Sequence, residues 1–476
     1  MLSVLMNRTL ILLTLLLLSL TTNAAKTKFP DSKFYIYRYV LHDKAATTYS
    51  LDAPLRFLSR KSLERRQRQG ISVDSTDLPV CQAYIKQFES RGAKVLGTSR
   101  WQNTVLVQSA DSAFLNSLGT MGIVKEAVCV FATPDSLDMP GDVRWNVHED
   151  FNRWDSVKND PYGMARNQIE MLGGTQLHEA GFTGHSITIA VVDGGFQNYD
   201  RIPAFKKTHI KGTRNFVPAS IDGMLPDDVR EPFHFIDHGT KVLSALAANA
   251  PEVHIGTAPD ADYWLLRSEV NHLEQPIEED LWAMAVETAD SLGADVINSS
   301  LGYYAFDEGR GSYRLQDLNG QTAFISRSAS MLADKGIVLC NSAGNSGMGQ
   351  WKKIGVPADA NNIITVGAID RAKRLATFSS IGPSQDGRVK PDIVAQGAPA
   401  ALISGRGTVV HDMGTSFSTP IVCGLTACLW QALPHLTASE VMQLIRQSAN
   451  QYNEPTNIYG YGIPDFWKAY ASQQKP

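Results

Sequence analysis

The chain has 476 residues with 44 Lys and Arg against 48 Asp and Glu, which gives a formal net charge of −4. This balance excludes a protein defined by a basic nucleic-acid-binding surface, and we expect no nucleic acid among its partners. Hydrophobic residues make up 43% and charged residues 19% of the chain, so the composition excludes overall disorder and favours a large buried core. The length predicts two or three units, or one large α/β domain with attachments.

Residues 1–25 have the pattern of a secretory signal peptide. Arg8 precedes an apolar run over residues 10–20, and small residues come directly before Lys26. The run is shorter than the roughly 20 residues that span a membrane, which argues against the alternative of a membrane anchor. We therefore expect an exported protein, either secreted, periplasmic or at the cell surface, with no stable membrane span after signal removal.

Five cysteines are too few for a disulfide scaffold in a chain of this length, and their odd number leaves at least one thiol unpaired. Cys340, Cys423 and Cys428 lie in apolar surroundings, and we expect buried thiols there. Cys81 with Cys129 is the one pairing that merits a test.

Residues 26–130 have the pattern of a small α+β module. Alternating apolar and polar residues over 34–40 and 104–107 predict strands, and helical periodicity over 55–68 and 84–91 predicts helices.

Three arginines of this module, Arg65, Arg66 and Arg68, allow two interpretations: a processing site or, as we favour, a solvated helix face. The following residues, 131–165, are rich in Pro, Gly, Asp and Asn and predict a linker. We expect cleavage during maturation within this linker, because irregular exposed chain offers little resistance to a protease.

From residue 166 to residue 476 short apolar runs alternate with stretches of helical length. Continuous rather than alternating apolar runs are typical of strands that are buried on both faces. The predicted strands are 187–192, 294–298, 336–340 and 363–366, and the predicted helices are 239–249, 279–292, 323–335, 416–432 and 437–448. This pattern predicts an α/β fold with a doubly wound parallel sheet flanked by helices.

Four polar residues follow these strands or begin these helices, where open parallel sheets carry their sites. Asp193, His238, Asn345 and Ser416 each have an ordinary explanation when taken alone, such as a helix cap or a turn. Together they match the four groups that acyl transfer needs: a hydroxyl nucleophile, an imidazole base, a carboxylate that orients the base, and an amide donor for the oxyanion.

The segment from 168 to 470 resembles the subtilisin-like serine proteases, the subtilases, in its motifs and in the chain order Asp, His, Ser. The motifs are Val191-Val192-Asp193-Gly194-Gly195, His238-Gly239-Thr240, Ser299-Ser300-Leu301-Gly302, Ala343-Gly344-Asn345 and Gly414-Thr415-Ser416-Phe417. The resemblance implies Ser416 as the nucleophile, His238 as the general base, Asp193 as the orienting carboxylate and Asn345 as an oxyanion donor.

The resemblance also implies that Ser300, Leu301, Gly302 and Gly344 bind the substrate backbone. An ordinary exit from a strand is the alternative for the segment 300–302.

The sequence departs from the family pattern at three positions. Gly194 replaces a usual Ser or Thr, Lys241 replaces a frequent His, and Ser418 replaces a usual Ala. None of these changes removes a catalytic group.

The resemblance implies a serine endopeptidase that is made as a zymogen, acts on peptide or protein substrates through an acyl-enzyme and is inhibited by its own propeptide, residues 26–130. We expect no required cofactor; structural calcium stays open, because the sequence does not identify its ligands. We interpret the acidic pair Asp227-Asp228 and the run Glu278-Glu279-Asp280 as solvated turns rather than metal ligands.

Two other functions agree less well with the sequence. An esterase of the α/β-hydrolase type is disfavoured by the chain order and by Ser418, which stands where that motif needs glycine. A catalytically inactive subtilase-fold binding protein is disfavoured because all four catalytic groups are present. If His238 is the base, activity should rise with pH through roughly 6 to 7.

Overall fold

The computed structural model describes residues 26–28, 33–138, 144–147, 156–222, 236–271 and 273–474. The predicted signal peptide, residues 1–25, and the pair Asp227-Asp228 lie outside the described residues.

An antiparallel sheet with three helices forms the N-terminal unit. Its strands are β1 (Lys26–Lys28), β2 (Tyr35–Leu41), β3 (Lys94–Ser99), β4 (Thr104–Ser109), β5 (Val124–Ala132) and β6 (Ser136–Asp138), and its helices are α1 (Arg60–Arg68), α2 (Gln82–Glu89) and α3 (Ser112–Leu118). The sheet order is β3-β4-β2-β5, while β1 and β6 form a separate pair. Tyr39, Phe88 and Leu115 pack in its core, so the alternating pattern predicted an α+β module correctly.

A parallel sheet forms the second unit, and in the described residues it has seven strands in the order β15-β14-β13-β12-β7-β11-β8. Its strands are β7 (Thr188–Asp193), β8 (His209–Asn215), β11 (Asp262–Arg267), β12 (Val296–Ser299), β13 (Val338–Ser342), β14 (Ile364–Asp370) and β15 (Ile393–Ala398), and the short strands β9 (Asn249–Ala250), β10 (His254–Ile255), β16 (Ala400–Ile403) and β17 (Val409–Asp412) form two hairpins.

Three strands of this sheet, β8, β11 and β15, are additions to the four that the sequence predicted. Strand β8 lies at the edge and is only partly buried, so it carries no continuous apolar run. The apolar residues of β11 lie between Asp262 and Arg267, and Gln396 and Gly397 interrupt β15.

Helices cover both faces of the parallel sheet, as the continuous apolar runs predicted. They are α4 (Arg166–Glu170), α5 (Gly174–Glu179), α6 (Ala219–Asp222), α7 (His238–Ala247), α8 (Ile277–Leu292), α9 (Phe324–Met331), α10 (Thr415–Ala432), α11 (Ala438–Ser448) and α12 (Phe466–Ser472). Ile189 and Val191 of β7 pack in one core cluster with α7 and α10. Ala190 and Val192 pack in the other cluster with α8 and α9. The alternation of side chains along a strand places them on opposite faces.

The arginines of α1 lie in the contact between the two units, which contradicts the predicted solvated face. Arg65 and Arg66 are buried and bind Asp290 of α8 at 2.5 and 2.8 Å, and Arg100 binds the same carboxylate at 2.5 Å. Of the three arginines of the cluster, Arg68 alone is largely exposed. The prediction was wrong because the sequence near Arg65 does not indicate a partner carboxylate that lies 225 residues away.

The acidic run at the start of α8 is likewise buried rather than solvated. Glu278 accepts hydrogen bonds from the backbone N–H groups of Val270 and Gln275, and Asp280 pairs with Arg38 at 3.0 Å. Acidic side chains are stabilised at a helix N-terminus by its unpaired N–H groups and dipole, and here they also link the two units.

All five cysteines, each within the described residues, carry free thiols, so the pair Cys81 and Cys129 is not joined. In the part of the chain that the structure describes, no helix is both long and apolar enough to span a bilayer.

Candidate active site

The carboxyl edge of the parallel sheet brings the predicted site residues together. Asp193 is the last residue of β7, and Ser300 follows the neighbouring strand β12. Asn345 follows the next strand, β13, while His238 and Ser416 lie in the first turns of α7 and α10.

Asp193 and His238 form a direct hydrogen-bonded pair. The carboxylate oxygens of Asp193 lie 2.8 and 3.1 Å from Nδ1 of the imidazole, and the backbone N–H of Gly194 donates to Oδ1 at 2.8 Å. Asp193 is fully buried, whereas the side chain of His238 is 28% exposed. The pair therefore fixes Nδ1 as the protonated nitrogen and leaves Nε2 as the basic one.

Glycine at position 239 lets α7 start directly against the turn that follows β7. Its N–H donates to the carbonyl of Gly195 at 3.0 Å, and a Cβ at this position would lie 2.3 Å from that oxygen. Any larger residue would move His238 away from Asp193.

The pKa of His238 is raised above its ordinary value of 6.5. Burial of the ring opposes protonation, but the charge of Asp193 and its hydrogen bond stabilise the imidazolium more strongly. A base of this kind accepts a proton readily at neutral to alkaline pH.

Ser416 is linked to Ser300 by two reciprocal hydrogen bonds. Its Oγ donates to the carbonyl of Ser300 at 3.2 Å, and Ser300 Oγ donates to the carbonyl of Ser416 at 2.8 Å. Between the described side chains of Ser416 and His238 there is no hydrogen bond, although the His238 ring lies 5.6 Å from the ring of Phe417, the next residue in α10. The Ser416 hydroxyl is thus hydrogen-bonded to the Ser300 carbonyl and not to the imidazole.

Asn345 is exposed and is oriented through its amide oxygen by Thr415. The N–H and the hydroxyl of Thr415 both donate to Oδ1 of Asn345 at 3.0 Å, and the Thr415 hydroxyl accepts from the N–H of Gly344 at 3.2 Å. Because the oxygen is occupied, the amide N–H₂ group of Asn345 is the end that is available to a ligand. Sequence reasoning missed the role of Thr415, although its place directly before Ser416 was a usable signal.

The segment after β12 lies along the same edge. Ser300 and Leu301 are buried, Gly302 is exposed, and Tyr303 exchanges two backbone hydrogen bonds with Val356 at 2.8 and 2.9 Å. A Cβ at Gly302 would lie 3.1 Å from the carbonyl oxygen of Val356, so glycine suits this close approach of the two chains.

A carboxylate next to the Asp193–His238 pair was also missed. Glu269 follows β11, accepts the hydroxyl of Tyr303, and would lie 3.3 Å from a Cβ at position 194. Burial, followed by the charge of Glu274, raises the pKa of Glu269. Recognition of β11 as the neighbour of β7 would have located it.

The three departures from the family pattern have local partners. Lys241 binds Asp412 at 2.8 Å and lies 5.6 Å from the ring of Phe417, and Ser418 Oγ donates to the carbonyl of Thr415 at 3.0 Å. At position 194 the backbone N–H supplies a hydrogen bond to Asp193.

Within the described residues, no group of three or more His, Cys, Asp and Glu side chains could hold a metal ion. The expectation that no cofactor is required stays a prediction.

A carboxylate, an imidazole, a hydroxyl and an amide at one edge of a parallel sheet define a candidate serine hydrolase. The model of the subtilase family matches residues 184–462, and that of the peptidase S8 propeptide domain of Bacteroidota matches residues 37–142. The first match covers more than half of the chain, so the chain belongs to the subtilase family. The protein is a serine endopeptidase that is made as a zymogen.

Individual relatives agree with this assignment. Subtilisin NAT of Bacillus subtilis subsp. natto is 27% identical over 320 residues, which cover 67% of this chain and 73% of that protein. Serine protease AprX of Bacillus subtilis (strain 168) is 28% identical over 310 residues, which cover 59% of this chain and 65% of that protein. The crystal structure of the epidermin leader peptide processing serine protease from Staphylococcus aureus has a TM-score of 0.63 at 17% identity and covers 94% of this chain and 100% of its own, which supports the fold.

Proposed function

We propose that Ser416, His238 and Asp193 form the catalytic triad of this endopeptidase and that Asn345 donates to the oxyanion. The observation that carries the proposal is the hydrogen bond of 2.8 Å between Asp193 and Nδ1 of His238, at the edge where α10 presents Ser416. It leaves Nε2 of the imidazole as the group that can accept a proton.

The proposed reaction begins when the Ser416 hydroxyl rotates from the Ser300 carbonyl toward His238. Oγ then attacks the scissile carbonyl carbon, and its proton passes to Nε2. The tetrahedral intermediate collapses as His238 returns the proton to the leaving amine, which leaves an acyl-enzyme on Ser416. Water, deprotonated by the same imidazole, hydrolyses the ester and restores the hydroxyl.

The negative charge of the tetrahedral intermediate is stabilised by two donors in this proposal. One is the amide N–H₂ of Asn345, whose oxygen is held by Thr415. The other is the backbone N–H of Ser416 at the N-terminus of α10, where helix N–H groups favour negative charge. These protein groups supply proton transfer and charge stabilisation, so we propose that no organic cofactor is needed.

The substrate backbone is proposed to lie along Ser300, Leu301 and Gly302, with Gly344 on the other side. An extended peptide can add to such a segment through main-chain hydrogen bonds. Gly302 is exposed and lies two residues after Ser300, which binds Ser416, and this supports the position.

The propeptide is proposed to inhibit the enzyme within the same chain, with residues 26–130 as propeptide, 131–165 as the cleaved linker and 166–476 as the catalytic domain. Two observations support inhibition. Ala132 exchanges two hydrogen bonds with Gln275 at 2.9 and 3.0 Å, and the carbonyl of Trp145 binds Asn198 at 2.8 Å. The chain thus contacts the catalytic domain before and after residues 139–143.

Export through the signal peptide, residues 1–25, completes the proposal. The supporting observation is the pattern of Arg8, an apolar run and small residues before Lys26.

Labelling with a fluorophosphonate tests the triad. The purified full chain, allowed to process itself, should react covalently and hydrolyse casein, and Ser416→Ala should do neither and should stay unprocessed. The matched control is Ser418→Ala, which removes a hydroxyl two residues along the same buried helix and should label normally. Labelling of Ser416→Ala, or no labelling of the unchanged protein, would overturn the assignment; the second result would favour the binding-protein alternative for this chain.

A further inference from the structure

Residues 144–147, which follow the propeptide domain, lie on the catalytic domain beside α7. Asn198 Nδ2 donates 2.8 Å hydrogen bonds to the carbonyls of both Trp145 and Gly405, so this side chain joins the segment to the loop between β16 and β17. Val147 packs against the main hydrophobic cluster of the catalytic domain. The segment therefore has both a polar and an apolar attachment.

The polar attachment is formed by a buried asparagine side chain. Asn198 is fully buried, and its backbone has a φ of 59°, a left-handed conformation that asparagine tolerates better than most residues. Its Oδ1 accepts from Nε of Arg144 at 3.3 Å, and Arg144 also lies 3.6 Å from the carboxylate of Asp200. One buried amide thus binds the backbone of one residue and the side chain of the residue before it.

The indole ring of Trp145 has its own surroundings. The guanidinium of Arg406 lies 4.8 Å from the ring centroid, within the range of a cation–π interaction. A Cβ at Gly405 would lie 3.3 Å from Cε3 of the indole and 2.8 Å from Cβ of Asp237. Glycine at 405 therefore provides the space in which the ring approaches the loop.

This place adjoins the general base. The N–H of Gly405 donates to Oδ2 of Asp237 at 3.1 Å, and Asp237 directly precedes His238. A peptide held by Asn198 and Arg406 is therefore held beside the residue that precedes the proposed general base.

We propose that Asn198, Gly405 and Arg406 form a peptide subsite for one residue with an aromatic side chain, and that an indole fits it best. The subsite binds both the ring and the backbone carbonyl of that residue. Trp145 fills this subsite in the zymogen, and a substrate with an aromatic residue at the matching position fills it in the mature enzyme. The inference rests on the proposed function for its role in catalysis, but the binding of the indole does not depend on hydrolysis.

A binding experiment tests the subsite on the full chain with Ser416→Ala, which keeps the chain intact. Trp145→Ala is added to remove the indole from the subsite, so that the ring of the probe can enter. The probe is a fluorescent peptide with the sequence acetyl-Arg-Trp-Asn-Val-amide. We expect fluorescence anisotropy to report binding at least about tenfold tighter than that of the same peptide with Ala in place of Trp, the difference that an aromatic anchor typically makes. Adding Arg406→Ala should remove this difference.

The matched control is Arg374→Ala, an exposed arginine that pairs with Asp370 within its own turn, and it should leave peptide binding unchanged. Equal binding of the Trp and Ala peptides, or a preference for Trp that survives Arg406→Ala, would overturn the proposal. Hydrogen exchange over residues 402–409 gives a second measurement: Trp145→Ala should accelerate it and Trp145→Phe should do so less, whereas unchanged exchange would contradict the docking of the indole.

An activity measurement separates the two proposals. The self-processed enzyme is given pairs of peptides that differ only by Trp or Ala at one position. We expect a preference of about tenfold in kcat/KM for Trp at one position, and Arg406→Ala should reduce it to near unity. Cleavage of no peptide would contradict the proposed function, whereas equal cleavage of every pair would contradict the subsite alone.

Discussion

Two buried aspartates perform different tasks because they face different cations. Asp193 faces the imidazole of His238, whereas Asp290 faces the guanidinium groups of Arg65, Arg66 and Arg100. An imidazole gains and loses its proton near neutral pH, but a guanidinium stays charged at every working pH. The first pair therefore suits proton transfer, and the second suits an attachment of the propeptide domain to α8 in the zymogen, one that does not vary near neutral pH.

The pKa directions reflect the same difference. Burial raises the pKa of Asp290, but the charges of the three arginines outweigh it, so that the pKa is lowered from its ordinary value. Burial lowers the pKa of His238, but Asp193 outweighs it, so that this pKa is raised. The lowered pKa keeps Asp290 ionised near neutral pH, whereas the imidazole of His238 gains and loses its proton there.

The largest expected effect is the loss of turnover in Asp193→Asn. The amide would donate to Nδ1 and force the proton onto Nε2, so that His238 can no longer accept one from Ser416. We expect kcat to fall by about 10⁴ while the fold is retained.

Steady-state hydrolysis and circular dichroism check this prediction. The control is Asp386→Asn, a partly exposed carboxylate that pairs with Arg388. A kcat within tenfold of the unchanged enzyme would contradict the orienting role of Asp193.

The next effect is that of Asp290→Asn on the interface. Removal of the carboxylate leaves the buried guanidinium of Arg65 without its counter-charge, while Arg66 keeps its pair with Asp77. Loss of the partner of a buried charge costs about 3–5 kcal/mol. We expect urea unfolding of the full chain with Ser416→Ala to report this loss. The control Arg68→Ala, which breaks a pair with an exposed arginine, should cost no more than about 1 kcal/mol. Equal effects of the two variants would show that burial does not distinguish them.

The smallest expected effect is a difference in pH dependence between the activity that relies on Asp193 and the stability that Asp290 contributes. Because the pKa of His238 is raised, the acid limb of kcat/KM should have its midpoint above pH 6.5. The pKa of Asp290 is lowered, so its contribution to stability is present above its ordinary value of 3.8 and is lost only as pH falls through the lower folded value.

The stability difference between Asp290→Asn and the unchanged chain should therefore stay constant from about pH 5 to about pH 8. The free energy of unfolding of both chains, measured across this pH range, checks this prediction. The pH profile of hydrolysis is measured beside it for comparison. An acid limb below pH 6.5, or an Asp290 contribution that varies over this range, would contradict the assignments.

Much of the site could be predicted because its residues lie in short motifs at the ends of strands. Asp193 ends a continuous apolar run, and Ser416 and His238 begin helices, so that their positions at the sheet edge follow from local pattern alone. Gly302 and Gly344 were identified only by resemblance to the family. Glu269 and Thr415 were missed because nothing in their own neighbourhood in the sequence indicates what they contact.

The failed predictions concern charge. Glu278, Arg65 and Arg66 were interpreted as solvated because isolated charged side chains are rarely buried. In the fold Arg65 and Arg66 meet the carboxylate of Asp290, which makes burial of their charge tolerable. Glu278 instead accepts backbone hydrogen bonds, and burial raises its pKa well above the ordinary value.

The sequence by itself determined the fold class, the family and the four groups proposed for catalysis, because these depend on periodicity and on motifs within a few residues. Only the tertiary structure decided which charges are buried, that the Ser416 hydroxyl rests on Ser300, and that Trp145 lies under Arg406 beside Asp237. The physical reason is that burial and ion pairing arise from contacts between residues as far apart as the 225 positions that separate Arg65 from Asp290, and no local pattern encodes such a contact.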